Sequence, residues 1–178
     1  MHDDDQVQAT RAYYDSAGAE GFYATIWGGE DLHIGVYESP DESIREASRR
    51  TIALMASQVS IDPTTRVLDI GAGYGGSARV LAHEYGCRAT CLNLSSVQNH
   101  RNRRLTAEQG LSRVLDVIEG SFEELPFPAE SFDLVWSQDS ILHSAHRDRV
   151  LKEAARVLAP GGRFLFTDPM QGDDADPA

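Results

Sequence analysis

Arg66-Val67-Leu68-Asp69-Ile70-Gly71-Ala72-Gly73-Tyr74-Gly75-Gly76 is the stretch on which the fold turns. Its first five residues form a short apolar run with a β-branched bias, which reads as a buried strand. The glycines that follow allow a tight turn and let a ligand approach the backbone. Beyond them an apolar pattern through Val80, Leu81 and Tyr85 predicts a helix that stops at Gly86. Strand, glycine turn and helix in that order begin a parallel sheet with crossover helices, and they place a cleft at the strand's C-terminal end.

Downstream the rhythm repeats. A second strand is expected from Arg88 to Leu92, with a helix carrying Val97, Arg101 and Leu105 before Gly110. Val114 to Ile118 reads as a third strand and Phe132 to Trp136 as a fourth. Val150, Leu151, Ala154, Val157 and Leu158 follow helical spacing, closed by Pro160-Gly161-Gly162, and Arg163 to Thr167 is the fifth strand. Upstream, Ser39-Pro40-Asp41-Glu42 carries an N-cap, a first-turn proline and a glutamate three residues on, so a helix is expected to begin there. Its apolar stripe is Ile44, Ala47, Thr51, Met55 and Val59. The aromatic-rich segment from Val7 to Trp27 is expected to be helical in pieces and to lie outside the core.

Composition narrows the functional classes. A chain of 178 residues supports one domain, and no apolar run approaches the ~20 residues of a membrane span. Met1-His2-Asp3-Asp4-Asp5-Gln6 lacks the basic-then-apolar order of a secretory signal. Cys87 and Cys91 are the only cysteines and have no Cys-x-x-Cys spacing, which fits a reduced cytoplasm. The net charge of -12 repels a phosphate backbone, so nucleic acid is not an expected partner. The run Arg101-Asn102-Arg103-Arg104 reads as a solvated helix face. Histidines and cysteines show no metal-ligand spacing, and no metal is expected.

The glycine stretch contains a Gly-x-Gly-x-x-Gly, which admits a nicotinamide dinucleotide oxidoreductase as one reading. Two residues shift the balance. Asp69 sits two positions before the first glycine, where its carboxylate can organise the loop and face the cationic end of a sulfonium amino acid. Asn93, at the end of the second strand, stands where a dinucleotide enzyme places an acid for the ribose hydroxyls.

Taken in order, Val67 to Gly73, Gly120-Ser121-Phe122 with Leu125-Pro126, Phe132 to Val135 and Arg156 to Gly162 resemble the motif series of class I methyltransferases. The resemblance implies an α/β, Rossmann-like three-layer sandwich with a parallel sheet over residues 61–171. A helical lid over 1–60 and an acidic tail over 172–178 would flank it. It implies S-adenosyl-L-methionine as cofactor and S-adenosyl-L-homocysteine as product. Asp69, Gly71, Ala72 and Gly73 would hold the methionine portion, and Asn93, Leu94 and Gln98 the ribose and adenine. Ser121 and Phe122 would flank the adenine, and Gln138 would close the site from the fourth strand. The family has an acid at Asn93 and often one at Ser121, so this chain departs at both. The family sheet also has two further strands. The expectation is therefore a chain lacking its last strands, able to hold cofactor with little turnover and open to self-association along its fifth strand.

On the substrate side, Trp136-Ser137-Gln138-Asp139-Ser140-Ile141-Leu142-His143 leaves the fourth strand polar at its ligand-facing end. A helical turn there would put Asp139 and His143 on one face. The stretch from Asp69 to Gln171 resembles the sarcosine and dimethylglycine N-methyltransferases of glycine betaine synthesis. The match includes Cys91 to Ser95, Arg101-Asn102-Arg103 and Thr167 to Gln171. Asp139 to His143 also resembles the phosphoethanolamine methyltransferases, in which an acid and a histidine lie at the amine and the histidine pairs with a tyrosine. Tyr14 is the nearest counterpart here and Tyr13 the next. Ile26 to Gly35 resembles the lid of this group, which implies that His33 and Ile34 approach the amino-acid end of the cofactor.

The reaction so implied needs a neutral amine, and His143 is the candidate proton acceptor. Tyr23, Trp27 and Trp136 are candidates for aromatic contact with the cationic product, although core packing suits Trp136 better. Phosphoethanolamine, a sterol or fatty-acyl group, and the dinucleotide chemistry remain the alternatives.

Overall fold

The computed structural model describes residues 3–16, 18 and 30–170. Among them the elements run α1 (Asp3–Tyr14), α2 (Ile44–Ala56), β1 (Arg66–Ile70), α3 (Gly76–Tyr85), β2 (Arg88–Asn93) and α4 (Ser96–Glu108). They continue with β3 (Leu115–Glu119), β4 (Phe132–Gln138), a single 3-10 turn (Ile141–His143), α5 (Arg147–Val157) and β5 (Leu158–Thr167). The strands form one sheet in the order β3-β2-β1-β4-β5, with every pairing parallel. The expected α/β architecture is present, and the order reverses between β1 and β4, which opens a crevice beyond their C-terminal ends. No helix among the described residues is long and apolar enough to cross a membrane.

Because β1 is central, both of its faces are buried. Val67, together with Ala89, Cys91, Leu134 and Trp136, packs against Ile52 and Met55 of α2 and Ala78 and Leu81 of α3. Leu68 and Ile70, with Leu92 and Val135, pack against Val150, Ala154 and Val157 of α5. Helix α2 thus contributes directly to the core. Trp136 is fully buried in the first cluster, with its indole Nε1 donating to Gln138 Oε1 at 2.9 Å, and it offers no face to a ligand.

Three local expectations are corrected. Helix α2 begins at Ile44 and not at Ser39, because Ser43 and Glu46 form a reciprocal capping box. Ser39 instead closes a turn with Glu42, whose carboxylate is taken by Arg50 and the Glu38 amide. Helix α5 ends at Val157, and Pro160-Gly161-Gly162 does not stop it. Those residues lie in β5, in a bulge between the Phe132↔Leu158 and Leu134↔Arg163 pairs. In α4 the buried face is Gln98, Asn99, Asn102 and Thr106, while Val97, Arg101 and Leu105 are only half-buried. That polar face is bonded in part: Asn99 Nδ2 donates to Asn93 O at 3.0 Å, and Asn102 Oδ1 accepts from Arg79 and Thr106 at 3.1 Å each, while Asn99 Oδ1 and Asn102 Nδ2 have no partner among the described residues.

Strand β5 is an edge of the described sheet, with Phe166 exposed. A clean test of the α2 boundary follows from its cap. Ser43→Ala is expected to cost about 1 kcal/mol in urea unfolding. Ser39→Ala should stay within about 0.5 kcal/mol of the parent.

Candidate functional site

The chain leaves β1 at Ile70 and must turn at once, with no room for a side chain. Gly71 has φ +75°, and the space its Cβ would take is filled by the side chain of Ser140. Ser140 Oγ in turn donates to Ile70 O at 3.1 Å and lies 2.7 Å from Ser137 Oγ. The Gly71 and Ala72 amides donate to Leu92 O at 2.8 and 3.1 Å, which ties the loop to β2. Those two donors are therefore spent inside the protein.

Around this loop lies an open cleft of about 1020 Å³, counting the part open to solvent. Asp69, Gly71, Ala72, Gly73, Asn93, Leu94, Gln98, Ser121, Phe122, Gln138, Asp139, His143, His33 and Tyr14 all line it. Asp69 forms the floor. Its carboxyl is almost wholly buried, and desolvation pushes its pKa up to about 7 against the opposing pull of the Arg79 charge.

One wall is built from the end of β2. Asn93 Nδ2 donates to Gln98 Oε1 at 2.8 Å, which leaves the Asn93 amide oxygen as an acceptor and the Gln98 amide nitrogen as a donor on two residues that line the cleft. An acceptor beside a donor suits a ribose diol without a negative charge. Asp15 holds this corner from the lid side, accepting from Ser95 Oγ at 2.5 Å and from the Val97 amide at 3.3 Å. Opposite stand Ser121, Phe122 and Glu123, with Glu123 Oε1 accepting from Ser144 Oγ at 2.5 Å.

The loop before α2 closes the cleft from above. Arg79 of α3, 1% exposed, donates from Nη2 to Glu30 Oε2 at 3.1 Å, and Gln109 Nε2 donates to the same oxygen at 3.2 Å. Arg49 of α2 pairs with Asp31 Oδ2 at 3.0 Å. Burial pushes the His33 imidazole below its ordinary pKa, outweighing the pull of Asp31 and Asp139. Loop, α2 and α3 are thus clamped together by charge pairs at the cleft's rim.

At the far end, Tyr14 Oη and His143 Nε2 are 2.9 Å apart, and their rings meet edge to face at 5.6 Å. Burial lowers the His143 pKa below its ordinary value, opposed by the Asp168 charge. The helical turn expected to align Asp139 with His143 is absent. Asp139 is in the left-handed region at φ +49°, and only Ile141–His143 coil, as a 3-10 turn. Asp139 nevertheless reaches the cleft, because its amide donates to Thr167 O at 2.8 Å and Thr167 Oγ1 donates to its Oδ1 at 3.1 Å. Its Oδ2 accepts from the Ile34 amide at 2.5 Å. Gln138 Oε1 accepts from Ser77 Oγ at 2.5 Å, while its buried Nε2 has no partner among the described residues.

Ile34 is not brought to the cleft by its side chain, which is 53% exposed; only its amide engages Asp139. Tyr23 and Trp27 lie outside the described residues. Asp31, Ser77, Glu123 and Ser140 line the cleft without having been singled out from sequence. Asp31 and Ser140 lie inside stretches already quoted, the lid and the end of β4, but nothing local in those stretches marks them.

Residues 68–166 match the family described as methyltransferase domain. A sarcosine/dimethylglycine N-methyltransferase of Halorhodospira halochloris is 54% identical over 97% of this chain, which spans 62% of that relative's length. A candidate sarcosine dimethylglycine methyltransferase of Galdieria sulphuraria superposes with TM-score 0.84 at 44% identity, covering 92% of this chain and 62% of that one. The cyclase SpnF superposes with TM-score 0.85 at 30% identity over 91% of this chain and 60% of its own. A shared backbone therefore does not by itself fix the reaction.

The buried Asp69 carboxyl makes a sign-definite prediction. With its folded pKa raised to about 7 from the ordinary aspartate value of 3.8, its contribution is full below the unfolded value and is lost as pH rises toward 7. Asp69→Asn removes that loss. Thermal unfolding of the ligand-free variant is expected to gain on the parent between pH 5 and pH 7 and to hold a constant advantage above it. A pH-independent difference would refute the buried-charge account.

Proposed function

The chain belongs to the methyltransferase domain family, and on that premise we propose that it binds S-adenosylmethionine and serves methyl transfer to a small amine. Sarcosine and dimethylglycine, the acceptors in the names of its relatives, are the proposed substrates. The observation that carries the reading is the sign of the cleft. A dinucleotide's pyrophosphate rests on the N-terminus of the first helix after the glycine loop. Here that end of α3 is met by the Asp31 carboxylate, with Asp69 on the floor below. An unbonded carboxylate oxygen at that helix end offers an acceptor where a phosphate needs donors, and it suits a cation instead.

The donor set fits the nucleoside as well. Asn93 and Gln98 offer an acceptor and a donor to a diol, Phe122 offers a face to a base, and Gln138 Nε2 is a buried donor awaiting an acceptor. When bound, the cofactor supplies a methyl group activated by its sulfonium charge. The chain's residues bring the amine to it in line, which is where most of the rate advantage of such a transfer arises.

A protonated amine has no lone pair to offer. His143, kept neutral by burial, takes that proton through Tyr14: the amine proton passes to the Tyr14 hydroxyl as the hydroxyl's own proton passes to Nε2, 2.9 Å away. Asp139, fixed by Thr167 and the Ile34 amide, presents a carboxylate to the substrate's positive charge. The buried thiols of Cys87 and Cys91 fit a reducing cytoplasmic setting. The Tyr14–His143 pair also favours phosphoethanolamine as a second acceptor, since that resemblance implied the same pairing.

Calorimetry with S-adenosylhomocysteine against NAD tests the cofactor, with binding expected for the first alone. Labelled methyl transfer to sarcosine, dimethylglycine and phosphoethanolamine tests the acceptor, and labelling of the phosphorylated amine alone would move the assignment to the second reading. His143→Ala is expected to lower kcat by roughly 10²–10⁴ and leave S-adenosylhomocysteine affinity unchanged. Because the His143 pKa is lowered, parent activity should hold down to the ordinary imidazole value of 6.5 and decline only below it.

A further inference from the structure

Asp31 is buried, with 4% of its surface exposed, and its two carboxylate oxygens have different fates. Oδ2 is paired with Arg49 Nε at 3.0 Å, whereas Oδ1 is buried with no hydrogen-bond partner among the described residues. An ionised oxygen left in that condition is costly unless something completes it. Oδ1 lies where a Cβ on Gly76 would stand, at the first turn of α3, on the wall of the cleft that holds Asp69, Gly71 and Gly73. Only a glycine at position 76 admits the carboxylate there.

We propose that Asp31 is the receptor for the α-ammonium group of the cofactor's amino-acid end. The inference rests on the cofactor reading above and assigns the charge recognition within it. An ammonium has three donors and no acceptor, and Oδ1 is an acceptor with none of its capacity used. Arg49 fixes the carboxylate through Oδ2, so the oxygen offered to the ligand is already oriented. Asp69 is the less suitable receptor for this group. It lies on the β1 floor, and at a pKa of about 7 it is only partly ionised where an ammonium is fully charged.

The position of Asp31 is also fixed by its loop. The residue belongs to the loop that Glu30 clamps to Arg79 and that the Ile34 amide ties to Asp139. The loop already sits on the helix end, so engagement of the ammonium completes a carboxylate that the protein holds in place.

The test is a comparison at pH 7 of S-adenosylhomocysteine with its desamino analogue, by calorimetry on the parent, Asp31→Asn and Asp69→Asn proteins. The parent is expected to bind the desamino compound at least about tenfold more weakly, the size expected of a charge-assisted hydrogen bond. Asp31→Asn should bind both compounds equally, and Asp69→Asn should keep the tenfold preference. Asp31→Ser, with circular dichroism to verify folding, serves as a second replacement. A preference that survives in both Asp31 variants, or that disappears in Asp69→Asn, overturns the assignment. So does a parent that binds the two compounds alike, which would leave the cofactor reading standing. A parent that binds neither compound overturns both.

Discussion

The volume beside Gly71 can hold either a side chain on the loop or Ser140 from the end of β4, and the protein has chosen Ser140. This exclusion sets the cleft. Ser140 fastens the end of β4 to the end of β1 through Ile70 O, and the Gly71 and Ala72 amides fasten the same turn to β2 through Leu92 O. Three adjacent strand ends are thereby held at fixed separation. The residues at those ends, Asn93 of β2, Gln138 of β4 and Asp139 just beyond it, inherit their positions from that knot. A Cβ at position 71 would force Ser140 away and loosen all three.

What was legible in the sequence was mainly what is local in the chain. The strand-turn-helix rhythm depends on apolar spacing and glycine placement over a few residues, so the five strands and the cleft at the β1–β4 switch could be read directly. Boundaries were less legible where two local signals competed. Ser39 and Ser43 each precede a glutamate by three residues. Arg50 decides between them by taking Glu42 out of the first motif and leaving Glu46 to complete the second. Pro160-Gly161-Gly162 has the composition of a helix stop, yet a bulge in an edge strand asks for the same residues. Its role was set by pairing with β4, which lies far away in sequence.

The site divided along the same line. Residues attached to the strand ends were foreseeable from their offsets, and the Tyr14–His143 pair came from resemblance across 129 positions. Asp139 illustrates how a residue can reach an expected place by an unexpected route. It lies in the cleft through a left-handed backbone and two contacts with Thr167, not through a helical turn. Such a conformation costs a non-glycine residue energy that the surrounding bonds must offset. Asp31 was beyond local reading altogether. Its burial is produced by Arg49, Gly76 and the closing loop together, and no window of sequence contains all three.

The charges of the cleft follow from this assembly. Each cation near the rim is already engaged: Arg79 with Glu30, the Tyr74 carbonyl and Asn102, and Arg49 with Asp31 and Glu30. The acids are not matched one for one, since Asp69 is buried with its pKa raised and Asp31 keeps one oxygen unbonded. A formal net charge of -12 on the chain reinforces that imbalance at longer range. A buried carboxyl with a raised pKa and a buried carboxylate oxygen without a hydrogen bond both cost stability, and a ligand carrying positive charge offsets that cost. On the proposed reading the cleft is therefore selective before any shape is compared: it gains from a sulfonium and an ammonium, and it loses from a pyrophosphate. The glycine motif alone is compatible with both ligand classes, and the acids placed around it separate them.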